Sequence, residues 1–147
     1  MANIDDMIGR LREIIETKKD IEECKRKLEE VGDRIANYVM DRLGDYLGEY
    51  LTISSQVKVR KLKILGEDRE VSSVRIDVGE MRDVTISFDG YKITLGCITL
   101  SGVIFLLDNL DAIIDILNEV LENERKELRF LNDKLKEATH KMSELMV

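Results

Sequence analysis

The sequence has no proline, no tryptophan, one histidine and two cysteines. The cysteines, Cys24 and Cys97, lie far apart and match no metal-ligand spacing. A zinc module and a disulfide scaffold are therefore excluded, and histidine-based acid–base chemistry has almost nothing to draw on. The two thiols predict a reduced, cytoplasmic setting. The longest apolar run is Val103-Ile104-Phe105-Leu106-Leu107, too short to span a bilayer. Met1 leads into Ile4-Asp5-Asp6 with no basic stretch before an apolar block, so no signal peptide is expected. Glycines are scattered and form neither a GxxxxGK nor a GxGxxG pattern, which leaves no phosphate-cradling loop. Nucleophile elbows and HExxH are missing too. No motif supports an enzyme, and no catalytic residue, metal or cofactor is expected.

What is present suits one domain. The chain has 147 residues, 44% hydrophobic and 36% charged, enough apolar content for a core and too much for a disordered tail. No low-complexity linker divides it. Residues 1–50 carry net −4, residues 51–106 net +1 and residues 107–147 net −4. Two acidic ends flank a near-neutral middle.

The first segment has a helical period. Ile4, Met7, Leu11 and Ile14 are spaced 3, 4, 3. After a phase slip near Lys18, Ile21, Cys24, Leu28, Val31, Ile35 and Tyr38 continue the alternation. This is the a/d seam of a heptad repeat. Asn3 followed by Asp6 predicts a capping box, and the helix should end near Leu43, weakened by Gly44 and Gly48. The last segment repeats the pattern: Leu110, Ile114, Leu117, Leu121, Glu124, Leu128, Leu131, Leu135, Ala138, Met142 and Leu145 step by 4 and 3 without a slip. Asp108 is its expected N-cap. Each pattern would span about 60 Å as helix. Their matching lengths predict an antiparallel helical hairpin, a coiled coil with its tip at Ile4 and Met146. Cys24 falls on the seam and reads as core.

The middle reads as β-structure. Asp89-Gly90 predicts a two-residue type I′ hairpin pairing Phe88 with Tyr91, Ile86 with Ile93 and Val84 with Leu95. Cys97 would continue the inward face. Upstream, Val74, Ile76 and Val78 alternate with polar residues, and a three-residue loop Gly79-Glu80-Met81 would pair Ile76 with Val84. Val57 to Ile64 is a strand whose alternation flips at Arg60-Lys61, predicting a bulge. Gly66-Glu67-Asp68-Arg69 is the expected turn. The predicted fold is α+β: a long antiparallel helical hairpin joined by a four-stranded antiparallel β-meander of two hairpins. Its parts are residues 1–50, 51–106 and 107–147. The apolar sheet face needs a cover, either the ends near Tyr46, Leu47, Tyr50 and Phe105 or a second subunit, so a homo- or hetero-oligomer through the β region is expected.

Three clusters are candidates for function. The acidic stripe Asp108, Asp111, Asp115, Glu119 and Glu122 could hold a divalent ion, but no histidine or loop carboxylate completes a site, and a solvated helix face explains it. Lys58, Arg60, Lys61 and Lys63 could touch nucleic-acid phosphate. A lysine-guarded edge strand accounts for them as well, and the net charge of −7 opposes nucleic-acid binding. The third is the predicted tip: Ile4, Met7, Ile8, Met142, Leu145 and Met146, with Met1 and Val147 beside them. Methionine adapts to varied apolar shapes and is common on promiscuous binding surfaces. His140, beside Lys141, reads as an exposed helix residue.

Two long terminal helices with heptads at 4–38 and 110–145, joined by hairpins around Gly66 and Asp89-Gly90, resemble the prefoldin α-type subunit. Gly90-Tyr91-Lys92 stands where that family usually carries a Gly-Tyr-Val stretch, and an extra apolar stretch, Ile98 to Leu107, follows. The resemblance implies a multisubunit ATP-independent chaperone in which strands form a common base and helix tips hold unfolded chains. The tip residues would be the client contacts. The order helix–sheet–helix is also similar to the bacterial nucleoid-associated YbaB type, which would imply a DNA-binding dimer. A structural scaffold whose coiled coil only joins subunits is the third reading.

Overall fold

The structure, a computed structural model, describes residues 1–79 and 83–146. The chain is α+β: α1 (Ile4–Leu43), a 3-10 turn (Gly44–Tyr46), β1 (Leu51–Ile64), β2 (Glu67–Val78), β3 (Val84–Phe88), β4 (Tyr91–Thr94) and α2 (Leu100–Leu145). The four strands form one antiparallel meander in sequence order.

The start of α1 follows the predicted capping box. The Asp6 N–H donates to Asn3 Oδ1, and the Asn3 N–H donates to Asp6 Oδ2, both at 3.1 Å. Two of the helix's orphan donors are thus satisfied at once. The α2 start differs from the expectation. Its N-cap is Thr99, whose Oγ1 accepts from the Gly102 N–H at 3.2 Å, and Asp108 lies two turns inside the helix. The apolar stretch Ile98–Leu107 is therefore mostly helix, not sheet. Its residues are spaced to bury Val103 and Phe105 on helical faces.

The Asp89-Gly90 hairpin has the predicted register, with Phe88 opposite Tyr91 and Ile86 opposite Ile93. The Leu95 N–H donates to the Val84 carbonyl at 2.8 Å. Asp89 and Gly90 take φ of +46° and +96°, as a type I′ turn requires. Between β2 and β3 the register differs by two residues: Ile76 faces Ile86 and Val78 faces Val84. The three-residue loop is replaced by a connection closed by the Gly79 N–H on the Asp83 carbonyl at 2.8 Å. Glu80 and Met81 lie outside the described residues. A shift of two keeps every side chain on its face, so alternation alone cannot distinguish the two registers. The first hairpin turns at Leu65-Gly66, both left-handed, and β2 resumes at Glu67, not after Arg69. β1 does carry a bulge, but upstream of the predicted place: residues 57–59 are set against Ser72 alone, whereas Arg60 and Lys61 pair regularly with Val71 and Glu70.

The core lies between one sheet face and the first half of α2. Leu62, Ile64, Val71, Val74, Ile86, Phe88 and Ile93 meet Phe105, Ile113, Ile116 and Val120. The Phe105 ring sits 5.5 Å from that of Phe88 and 4.9 Å from that of Tyr91. The apolar sheet face thus has its cover within the chain. Leu47 joins it, whereas Tyr46 and Tyr50 stay exposed.

The structure does not show the predicted coiled-coil hairpin. α1 and α2 pack through one small cluster, in which Leu28, Ile35 and Ala36 meet Leu95, Ile98, Val103 and Leu106. Gly32 permits that approach. A Cβ there would stand 2.8 Å from the Ile98 carbonyl oxygen and 2.9 Å from Val103 Cγ2. Residues 1–27 and 124–146 are exposed throughout. The heptads say that each helix needs a partner, and matching length alone does not make that partner the other helix of the same chain. Cys24, on the open seam, is exposed rather than core. Cys97 is exposed too, because alternation ends where β4 stops at Thr94.

Candidate interaction surface

α2 carries two apolar stripes. One, through Phe105, Ile113, Ile116 and Val120, is buried on the sheet. The other begins with Leu107, Leu110, Ile114 and Leu121 and continues through Leu128, Leu131, Leu135, Met142 and Leu145, all exposed. From Leu110 on, this second stripe follows the heptad seam read from the sequence, except that Leu117 is half-buried against the sheet core and Glu124 breaks the apolar run. On α1, Ile4, Met7, Ile8, Leu11, Ile14 and Ile15 form a broader exposed stripe over about three turns. The six predicted tip residues lie on these stripes, from Ile8 at 48% exposed to Leu145 at 84%. The structure places Ile4, Met7 and Ile8 on α1, Met142 and Leu145 at the end of α2 and Met146 at its C-cap, and all six stay exposed. Val147, counted with the tip, is outside the described residues.

The position of α2 along β1 is fixed by polar contacts. β1 is an edge strand, and three α2 side chains bind its free backbone groups. Asn109 Oδ1 accepts from the Lys63 N–H at 2.7 Å, while its Nδ2 donates to the Lys63 carbonyl at 2.8 Å. The Glu119 carboxylate accepts from the Lys58 N–H at 3.0 and 3.1 Å. Asn123 Nδ2 donates to the Gln56 carbonyl at 3.2 Å and to Ser55 Oγ at 2.9 Å. Helix and strand run antiparallel and keep pace, since 14 helical residues and 7 strand residues both cover about 20 Å. These contacts do the work of a fifth strand and leave less of the edge open to pairing. Sequence reasoning missed them. The available signal was Asn109, a lone amide inside the apolar stripe facing the sheet.

Of the basic strand, Arg60 is engaged and the three lysine side chains stay exposed. Arg60 Nη1 pairs with Glu119 Oε2 at 2.8 Å, and both side chains are only about a quarter exposed or less. The Arg60 hydrogen bond, with that of the Lys58 N–H, outweighs desolvation and holds the Glu119 carboxyl below its ordinary value. Lys61 stands across from Glu70, and Lys63 across from Asp68. Lys58 is exposed. In the acidic stripe, Glu119 is thus committed to β1, and Glu122 pairs with Arg129 at 3.2 Å. Among the described residues no three His, Cys, Asp or Glu side chains gather as a metal site would require.

No family model, curated protein or solved structure matches the chain. Function must therefore be argued from its own surfaces.

The outer sheet face is polar and bears a shallow concavity of about 460 Å³ lined by Ser54, Ser73, Arg75, Ser87 and Lys92. Arg75 is held by Asp77 at 3.1 Å, which in turn accepts from Thr52 at 2.9 Å. Asp89 closes the end of this face. It accepts from Ser73 Oγ at 2.6 Å and from the Ser72 and Ser73 N–H groups at 3.0 and 2.8 Å. Desolvation raises its pKa, but these hydrogen bonds together win and hold it below the usual carboxylate value. No helix among the described residues is long and apolar enough to cross a membrane.

Proposed function

We propose that this chain is a non-enzymatic coiled-coil binding protein that engages other polypeptides through the open apolar faces of its two helices. Its sharpest form is an ATP-independent, prefoldin-like holdase with client contacts at Ile4, Met7, Ile8, Met142, Leu145 and Met146. One observation carries the reading: both helices leave the α/β body with a long apolar stripe that none of the described residues covers. Monomeric proteins rarely keep an apolar surface of that extent unless it binds something. The body supplies a rigid mount, because the α2 stripe facing the sheet is locked by the core and by Asn109, Glu119 and Asn123. Methionines at both ends suit clients of varied shape.

The test is suppression of aggregation of a chemically unfolded model protein, without nucleotide. The full chain should suppress light scattering near stoichiometric ratio. Removal of residues 1–10 and 138–147 should abolish the effect while circular dichroism retains the helical and β signals. Equal suppression by the truncated chain would refute client binding at the tips. The scaffold reading is favoured by the length of the α2 seam, which keeps its 3–4 step from Leu110 to Leu145, and under it the truncation lowers the mass of the assembly instead.

A further inference from the structure

One residue from each strand lines up across the outer face of the sheet. Ser54 stands opposite Arg75, Arg75 opposite Ser87, and Ser87 opposite Lys92. The row crosses the polar concavity of that face. Neighbouring strands lie about 4.8 Å apart, so Arg75 and Lys92 flank Ser87 at nearly equal distance. We propose that this row binds the phosphate group of a small soluble phosphomonoester, held over Ser87 between the two cations. The site is separate from the helical stripes and does not depend on them.

Ser87 is the residue that asks for a ligand. It is 7% exposed, and its Oγ is buried without a hydrogen-bond partner among the described residues. A buried hydroxyl left unpaired costs stability, and one that lines a cavity recovers that cost when a ligand accepts its hydrogen bond. The flanking cations have donors to spare. Arg75 meets Asp77 through Nε alone, which leaves most of its Nη hydrogens unspent among the described residues. Its side chain is 56% exposed, and Lys92 is exposed as well and forms no ion pair among the described residues. Both side chains are long enough to swing over Ser87.

The acids of the face, by contrast, already hold donors. Asp77 accepts from Arg75 and Thr52, and Asp89 accepts from Ser72 and Ser73. Asp77 lies two residues along the chain from Arg75, and Asp89 two from Ser87, or about 7 Å from the row. The formal charges of Arg75, Lys92, Asp77 and Asp89 cancel, so net charge does not select the ligand. The unspent donors do. They converge from two flanks and the floor, which suits the several oxygens of a tetrahedral phosphate better than a planar carboxylate.

The test is a titration of the full chain with inorganic phosphate and with glycerol phosphate at constant ionic strength, followed by amide NMR shifts. Acetate at equal concentration is the control. Saturable shifts should centre on Arg75, Ser87 and Lys92, and acetate should bind about ten-fold more weakly. Lys92→Gln should weaken phosphate binding about ten-fold, as the loss of one charge-assisted bond implies. Ser87→Ala should weaken it too, while the melting temperature of the free chain stays the same or rises, since no bond within the fold is lost. Unchanged phosphate affinity in Ser87→Ala, or shifts scattered over other lysines, would overturn the site. A lowered melting temperature in Ser87→Ala would do so as well, because the hydroxyl would then be spent inside the fold. An equal response to acetate would overturn the assignment to phosphate. Sedimentation with phosphatidic-acid vesicles, without any response to soluble phosphate, would overturn the soluble ligand in favour of a lipid headgroup.

Discussion

Asn109 offers the sharpest check on how α2 is held. It is 6% exposed, and its amide makes three bonds: two to the Lys63 backbone at 2.7 and 2.8 Å and one to the Phe105 carbonyl at 2.9 Å. Asn109→Ala leaves the Lys63 N–H and C=O without partners beneath the helix and opens a small void. Each orphaned backbone group costs about 1–3 kcal/mol when buried. Lys63 lies at the margin of the core, where water reaches part of the gap, so a loss of about 3 kcal/mol is expected. For a chain of this size that lowers the melting temperature by about 9 °C. It moves the urea midpoint down by about 1.5 M at an m-value near 2 kcal/mol/M. The measurement is urea unfolding at fixed protein concentration, because association would add its own stability. Asn109→Asp separates hydrogen bonding from volume. An ionised carboxylate keeps the bond from the Lys63 N–H but meets the Lys63 and Phe105 carbonyls as a fellow acceptor. A protonated one donates again. This variant should therefore recover stability as pH falls, against the trend of the parent. A loss below about 0.5 kcal/mol in Asn109→Ala, or a pH profile for Asn109→Asp parallel to the parent, would refute the idea that α2 serves as β1's missing neighbour.

Three further outcomes are expected. Gly32→Ala puts a methyl group within 3 Å of the Ile98 carbonyl and Val103, so α1 should lift from α2. Amide exchange should then quicken in residues 28–40 while the sheet keeps its protection. Glu119 has a folded-state pKa below its ordinary 4.5, so its stabilising contribution is complete above that pH and fades as pH falls through the depressed value. Glu119→Gln should flatten that acid limb without changing stability's pH dependence above pH 6. Asp89→Asn keeps a residue that tolerates the left-handed turn but loses the charged acceptor for Ser72 and Ser73. The β2–β3–β4 amides should lose protection modestly, as measured by exchange.

The α1 capping box, the Asp89-Gly90 hairpin with its pairing, the bulge in β1 and both heptad seams follow from short-range chemistry. A cap, a left-handed turn and a side-chain period are decided within a few residues, so the sequence alone determines them. Tertiary structure decided what lies beyond that range. Thr99 caps α2 nine residues before Asp108 would have capped it, because Phe105 and its neighbours gain more by covering the sheet than a helix gains from an acidic first turn. The β2–β3 register depends on loop closure, which alternation cannot sense. Asn109, Glu119 and Asn123 acquire their roles only when β1 runs beside α2, and Arg60 changes from a phosphate candidate to a buried-edge ion pair for the same reason. A heptad seam states that apolar surface must be covered. It does not state by which helix, since α1, a second α2 and a bound client all satisfy the same hydrophobic demand.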